Sequence, residues 1–186
     1  LFTAFVSVLF LASCSSGNSW APAGDRIMTR WGEETDPENV LQEYPRPQMT
    51  RDRWENLNGL WEYAVMASDS EPDGMDGQIL VPFAIESALS GVGRSIEEDE
   101  VLWYERQFSV PKDWNGSRIM LNFGAVDWKA EVYVNGQKAG EHTGGYTPFS
   151  FDITDLLARR GRNTLRVKVS DRTDNWFQAR GKQVSE

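Results

Sequence analysis

Short extended segments, each closed by glycine, proline or asparagine, limit what this chain can fold into more than any other feature. In residues 129–134, Ala130, Val132 and Val134 fall on one side of a strand, with Glu131 and Tyr133 on the other. Successive strand side chains point to opposite faces, so this alternation marks a half-buried strand. Asn135-Gly136 follows. Both positions accept positive φ, as a two-residue hairpin demands, so residues 137–142 are predicted to return as the partner strand. The same period places Ile119, Leu121 and Phe123 on one face, and Leu165, Val167 and Val169 on another. The basic residues between the latter three are expected to face water.

Further strands are expected over residues 57–65, 78–81, 101–110 and 146–153. Residues 152–157 read as a single helical turn capped by Thr154 or Asp155. Residues 67–77 read as an acidic loop and 86–100 as another, whose run Glu97-Glu98-Asp99-Glu100 reads as a solvated face. Residues 19–43 are irregular, and Tyr44-Pro45-Arg46-Pro47-Gln48-Met49 reads as extended chain rather than helix, because proline restricts itself and the residue before it. About eight strands at short spacing, with no long amphipathic helix and no repeat, predict an all-β fold, a β-sandwich.

Charge and composition narrow the function. A net charge of −9 argues against nucleic-acid binding, which needs clustered Lys and Arg. The single His and single Cys leave no material for a metal cluster, a catalytic triad or an internal disulfide, and nothing implies a cofactor. The 8 Trp and 5 Tyr supply rings that can stack on sugars, although most aromatics in such a fold are core.

The uncharged run from Leu1 to Ala12 falls short of the ~20 apolar residues that span a bilayer. It fits the apolar part of an export signal. Leu1 in place of Met, and the missing basic start, read as a truncated beginning. Leu11-Ala12-Ser13-Cys14 resembles the bacterial lipobox, in which the Cys is lipidated and becomes the new terminus. The expected layout is a signal segment over 1–14, a tether and lead-in over 15–43, and the sandwich over 44–186. The expected location is exported and bacterial, membrane-bound only through the lipid on Cys14, in the periplasm or on the cell surface.

The motifs carry a family resemblance. Leu57-Asn58-Gly59-Leu60-Trp61, Val81-Pro82-Phe83, Trp103-Tyr104-Glu105-Arg106-Gln107-Phe108 and Leu121-Asn122-Phe123-Gly124-Ala125-Val126-Asp127-Trp128 occur in that order. Val132-Tyr133-Val134-Asn135-Gly136, the stretch from Gly144 to Thr154, and Asn163 to Val169 follow. Together they resemble the N-terminal sugar-binding domain of family 2 glycoside hydrolases, the β-galactosidase, β-glucuronidase and β-mannosidase group. The resemblance implies a jelly-roll-like, galactose-binding-domain-like sandwich that binds carbohydrate. It also implies partner domains in the same polypeptide, an immunoglobulin-like domain and a TIM barrel, and one more strand after Gln183. Retaining glycosidases use two carboxylates roughly 5 Å apart; in this family both are barrel Glu residues, and no position here matches them. The chain is therefore expected to be the non-catalytic front of an exported, β-galactosidase-like enzyme that acts on terminal β-glycosides. The alternatives are a stand-alone carbohydrate-binding surface lipoprotein and a purely structural sandwich.

In some family members a loop after the late strand places an Asp by the sugar hydroxyls. The matching position is Asp171, and Trp176 is the nearby indole; both are the candidate substrate-binding residues, although Asp-Arg-Thr-Asp-Asn is also plain turn chemistry. Arg180, Lys182 and Gln183 are weaker candidates for barrel contacts. Asp127 and Trp128 lie beside the hairpin, and Trp128 reads first as a structural residue held by strand packing and second as an aromatic platform for a sugar. His142 is expected to be structural or merely exposed.

Overall fold

The computed structural model describes residues 20–67, 70–158 and 160–171. Among these residues eight strands form: β1 (Gly59–Ala67), β2 (Gly77–Val81), β3 (Glu100–Phe108), β4 (Met120–Phe123), β5 (Lys129–Val134), β6 (Gln137–Thr143), β7 (Phe149–Asp152) and β8 (Asn163–Ser170). Six make one antiparallel sheet in the order β2-β1-β3-β8-β5-β6. The other two, β4 and β7, pair antiparallel as a second sheet. The fold is the expected all-β sandwich.

The core lies between the two layers. Ile79, Ala130, Val132, Val134 and Leu165 are fully buried, and Phe123, Phe149 and Phe151 pack against them from the small sheet. Phe123 and Phe149 stack at 4.8 Å, and Phe151 meets Phe149 edge-on. The layers approach closely at Gly140, where an added Cβ would run into the Phe151 ring. The register of β5 against β6 shifts beside it, between Val132 and Tyr133. A bulge of this kind bends the strand and increases its twist. Asn135 and Gly136 both take positive φ, as the hairpin requires.

The outer face of the large sheet departs from the sequence reading. Ala64, Trp103, Lys168 and Glu131 lie side by side across four strands. Trp103 is buried, and its indole N–H donates to Ser70 O at 3.0 Å. Ser70 and Met75 of the acidic loop thus cover the Trp103 part of this face, with Met75 packed on the same cluster. Lys168 does not face water. It is buried on this face, with its ammonium 5.9 Å from the Trp103 ring centroid and 3.7 Å from Glu131. A lysine stem can lie along apolar surface while its charge finds a partner at the end.

Three local departures have plain causes. The turn after β7 is a 3₁₀ turn, Thr154–Leu156, and neither Thr154 nor Asp155 caps it. The Asp152 carboxylate accepts the Thr154 N–H instead, and its pKa is held down to about 2 by Thr154, with Arg118 adding to the effect. A 3₁₀ turn over Pro47–Met49 interrupts the expected extended segment, with proline at its start, where the missing N–H costs nothing. β7 begins only at Phe149, later than expected.

The lead-in from Trp20 to Asn58 has little regular structure but packs on the sandwich. Trp20 and Ala23 sit against Gly91 and Gly93, where a Cβ would collide with each of them. The Ala23 N–H donates to Ala88 O at 2.8 Å. Val40 is buried, and Leu41 O accepts from the side-chain amides of Asn56 and Asn58. Arg106 donates to Leu60 O at 3.1 Å and lies over Gly59, near Pro37 O. Burial lowers the Arg106 pKa, with Glu55 and Glu38 acting against that by favouring its charge, and burial pushes the Glu55 carboxyl up.

Candidate functional site

Register explains how one end of the sandwich collects its polar groups. Lys129 at the start of β5 lies opposite Ser170 at the end of β8 and opposite Thr143 at the end of β6. The residues just before Lys129, just after Ser170 and just after Thr143 therefore leave the sheet together. They are Asp127-Trp128, Asp171 and Gly144-Gly145-Tyr146.

The side chains bear this out. The Asp127 carboxylate lies so close to Gly145 that no Cβ would fit there, so glycine is required at that position. The Gly144 N–H donates to Trp128 O at 2.8 Å, tying the two loops together. The Asp127–Trp128 peptide is cis. Burial pushes the Asp127 carboxyl above the usual carboxylate range, and the negative charge of Asp171 pushes it further the same way. Two carboxylates from different strands thus share one end of the sheet.

Two rings stand beside them. Trp128 is 38% exposed and Tyr146 68% exposed. Trp128 thus keeps part of its ring open to solvent at this end. Beneath this loop the His142 ring stacks on Phe149 at 4.3 Å and 16°, and its Nε2 lies 3.2 Å from Thr147 Oγ1. His142 thus fixes the loop that carries Tyr146, a structural role.

Chemically this end offers hydrogen-bond acceptors beside apolar ring faces. Carboxylates accept O–H donors strongly, and an aromatic face covers the C–H side of a sugar ring. Asp171 falls at this end, as singled out from sequence. Trp176, Arg180, Lys182, Gln183 and Cys14 lie outside the described residues. Sequence reasoning did not place Asp127 against the glycine pair; the signal for that contact was Gly145, which has no side chain to block the carboxylate. A shallow groove of about 280 Å³ runs between Leu60, Glu62, Gln78 and Gln107 and shares no residue with this end. Among the described residues, no group of three or more His, Cys, Asp or Glu could hold a metal, and no helix is long and apolar enough to cross a membrane.

Comparison with known proteins agrees with this architecture. The profile for glycosyl hydrolases family 2, sugar binding domain, matches residues 81–180. A dog β-glucuronidase is 29% identical over 143 residues, 68% of this chain and 22% of its own length. A β-galactosidase of Thermoanaerobacter pseudethanolicus is 43% identical over 79 residues, 41% of this chain and 11% of its own. Among solved structures, Bifidobacterium dentium β-glucuronidase complexed with coumarin-3-O-glucuronide superposes with a TM-score of 0.51 at 31% identity, covering 61% of this chain and 19% of that one. The chain thus spans about a fifth of the dog enzyme's length.

Proposed function

The chain belongs to glycosyl hydrolase family 2, as its sugar-binding domain, and from that footing we propose that it is the non-catalytic front of a retaining glycosidase acting on terminal β-glycosides. The observation that carries this reading is the end of the sandwich where Asp127 and Asp171 meet beside Trp128 and Tyr146. The two catalytic carboxylates would stand on a barrel elsewhere in the parent polypeptide, and this end would help to hold the terminal sugar. Asp171 would accept sugar hydroxyls, with Asp127 beside it and Trp128 or Trp176 under the ring.

The proposed sugar is a β-galactoside, with a β-glucuronide as the competing one, since relatives named for both sugars match this domain. The Cys14 lipobox fits a parent that is exported and held at a bacterial membrane by lipid. The alternative, a stand-alone surface lectin, would use the same end without any barrel.

Binding of methyl β-galactoside and methyl β-glucuronide to the full chain, measured by calorimetry, tests the site. Asp171→Asn is expected to weaken galactoside binding about tenfold, the scale of a hydrogen bond to a charged group. Glucuronide binding as tight as galactoside binding in the wild type would overturn the choice of a galactoside. The chain by itself is expected to release no chromophore from nitrophenyl β-glycosides; turnover would place catalytic groups within it. Mass spectrometry of the exported protein decides the anchor, since an unmodified Cys14 rules out lipidation.

A further inference from the structure

Among the described residues, the exposed large apolar side chains are unevenly placed. Trp128 and Tyr146 belong to the sugar end, and Met120 lies on the small sheet. The other four, Ile27, Trp31, Leu41 and Met49, all lie on the lead-in. Ile27 is fully exposed, and Trp31 is 72% exposed. Isolated exposed apolar residues are ordinary, but four on one stretch of irregular chain form a pattern that marks a contact surface.

The lead-in is also held more firmly than an idle tether needs. Trp20 and Ala23 are seated on Gly91 and Gly93, and Met28 reaches Gly32. Thr29 caps the short helix α1 (Arg30–Glu33), its side chain accepting from the Gly32 N–H at 3.2 Å. Arg30 lies over the Trp31 ring at 5.2 Å. Leu41 takes a φ of 44°, a left-handed conformation that a leucine rarely adopts, and its carbonyl is held by two asparagine amides. These contacts fix the backbone while leaving Ile27 and Trp31 pointing outward.

We propose that the outer side of the lead-in, centred on Ile27 and Trp31, is the docking surface for the remainder of the same polypeptide. This rests on the function proposed above. The dog β-glucuronidase matched here is covered over only 22% of its length, so a parent of that size has most of its mass to seat against this domain. Charge selects among occupants. The stretch 25–43 carries Asp25, Glu33, Glu34, Asp36, Glu38 and Glu43 against Arg26 and Arg30. That acidic balance repels anionic lipid headgroups and suits a protein surface with apolar seats ringed by Lys and Arg.

The test is the double substitution Ile27→Ser, Trp31→Ser, made both in the full-length parent and in the 186-residue chain. In the chain alone, the thermal midpoint and circular dichroism are expected to stay unchanged, because neither side chain is buried there. In the parent, the midpoint is expected to fall by several degrees. Limited proteolysis between the sandwich and the rest is expected to speed up about tenfold. Equal losses in both proteins would mean that the side chains serve the local fold, and no loss in either would mean that nothing docks there; both outcomes overturn the proposal. So would wild-type chain sedimenting with phosphatidylglycerol vesicles and losing that binding on double substitution, which would make lipid the occupant. A parent gene that ends without a barrel sinks the function reading itself. A barrel-bearing parent indifferent to the substitutions sinks the docking surface alone.

Discussion

The two faces of the six-stranded sheet use the same alternating pattern and are stabilised in different ways. The inner face is apolar at its centre, with Ala130, Val132, Val134 and Leu165 fully buried against the phenylalanines of the small sheet, and polar where Arg106, Asn163 and His142 share it by register. The outer face mixes Trp103, Tyr133, Glu131 and Lys168, and a loop rather than a sheet covers part of it. Inside, the driving force is non-directional burial, about 25 cal/mol per Å². Outside, a buried charge must find its partners, so geometry matters more than area. Alternation in a strand therefore specifies two faces but does not say that the second one is wet.

The largest effect should come from the inner face. Leu165→Ala is expected to cost about 2–5 kcal/mol, because a packed core relaxes only partly around the lost volume. Val132→Asp should leave no folded protein, since no partner for a charge exists there. Urea unfolding followed by far-UV circular dichroism measures both. Trp103→Ala sharpens the comparison. If the outer face is a second packed cluster, the cost is about 3 kcal/mol, within the range for a core aromatic. A cost under about 0.5 kcal/mol, typical of surface sites, would show that the loop merely lies near it. Next comes Gly140→Ala, where the new methyl meets the Phe151 ring. Overpacking of this kind costs about 1–3 kcal/mol, and Phe151→Leu should recover part of the loss if the two layers truly meet there.

The inner face and the hairpin were legible because they depend on neighbours in sequence. Residues 130, 132 and 134 announce one face, and Asn135-Gly136 announces the reversal. Burial of Lys168 was not legible, because it depends on Trp103 and Glu131, which only the β3–β8 and β5–β8 pairings bring alongside it. The packing of the lead-in was hidden for a similar reason. Trp20 and Ala23 follow no period, and their seats are two glycines far along the chain. At the end where β5 and β8 leave the sheet, Asp171 was singled out through the family resemblance together with its place after a strand. Its neighbour Asp127 was not, since their meeting depends on the β5–β8 pairing, and no local pattern sets that register.

The smallest expected effect isolates the charge network of the outer face. Glu131 is approached by Lys138 at 2.9 Å, by Lys129 and Lys168 at longer range, and by the Tyr133 hydroxyl. The Lys138 hydrogen bond chiefly, then the Tyr133 bond and the lysine charges, hold its carboxyl down to about 2, against a usual value of 4.5. A depressed carboxylate adds stability that is fully present above the unfolded value and is lost as pH falls through the folded one. Glu131→Gln should therefore lower the thermal midpoint at pH 7, by an amount on the order of 1 kcal/mol or less because water screens the network. Between pH 4.5 and about 2 the wild-type midpoint should drop toward that of the variant, and the two should meet at the acid end. Asp152 titrates over the same window but is common to both proteins, so the difference between the curves reports Glu131. Added salt should shrink that difference at neutral pH. Parallel curves across the acid range would mean that Glu131 is an ordinary surface carboxylate, and the outer face would then owe its stability to Trp103 alone.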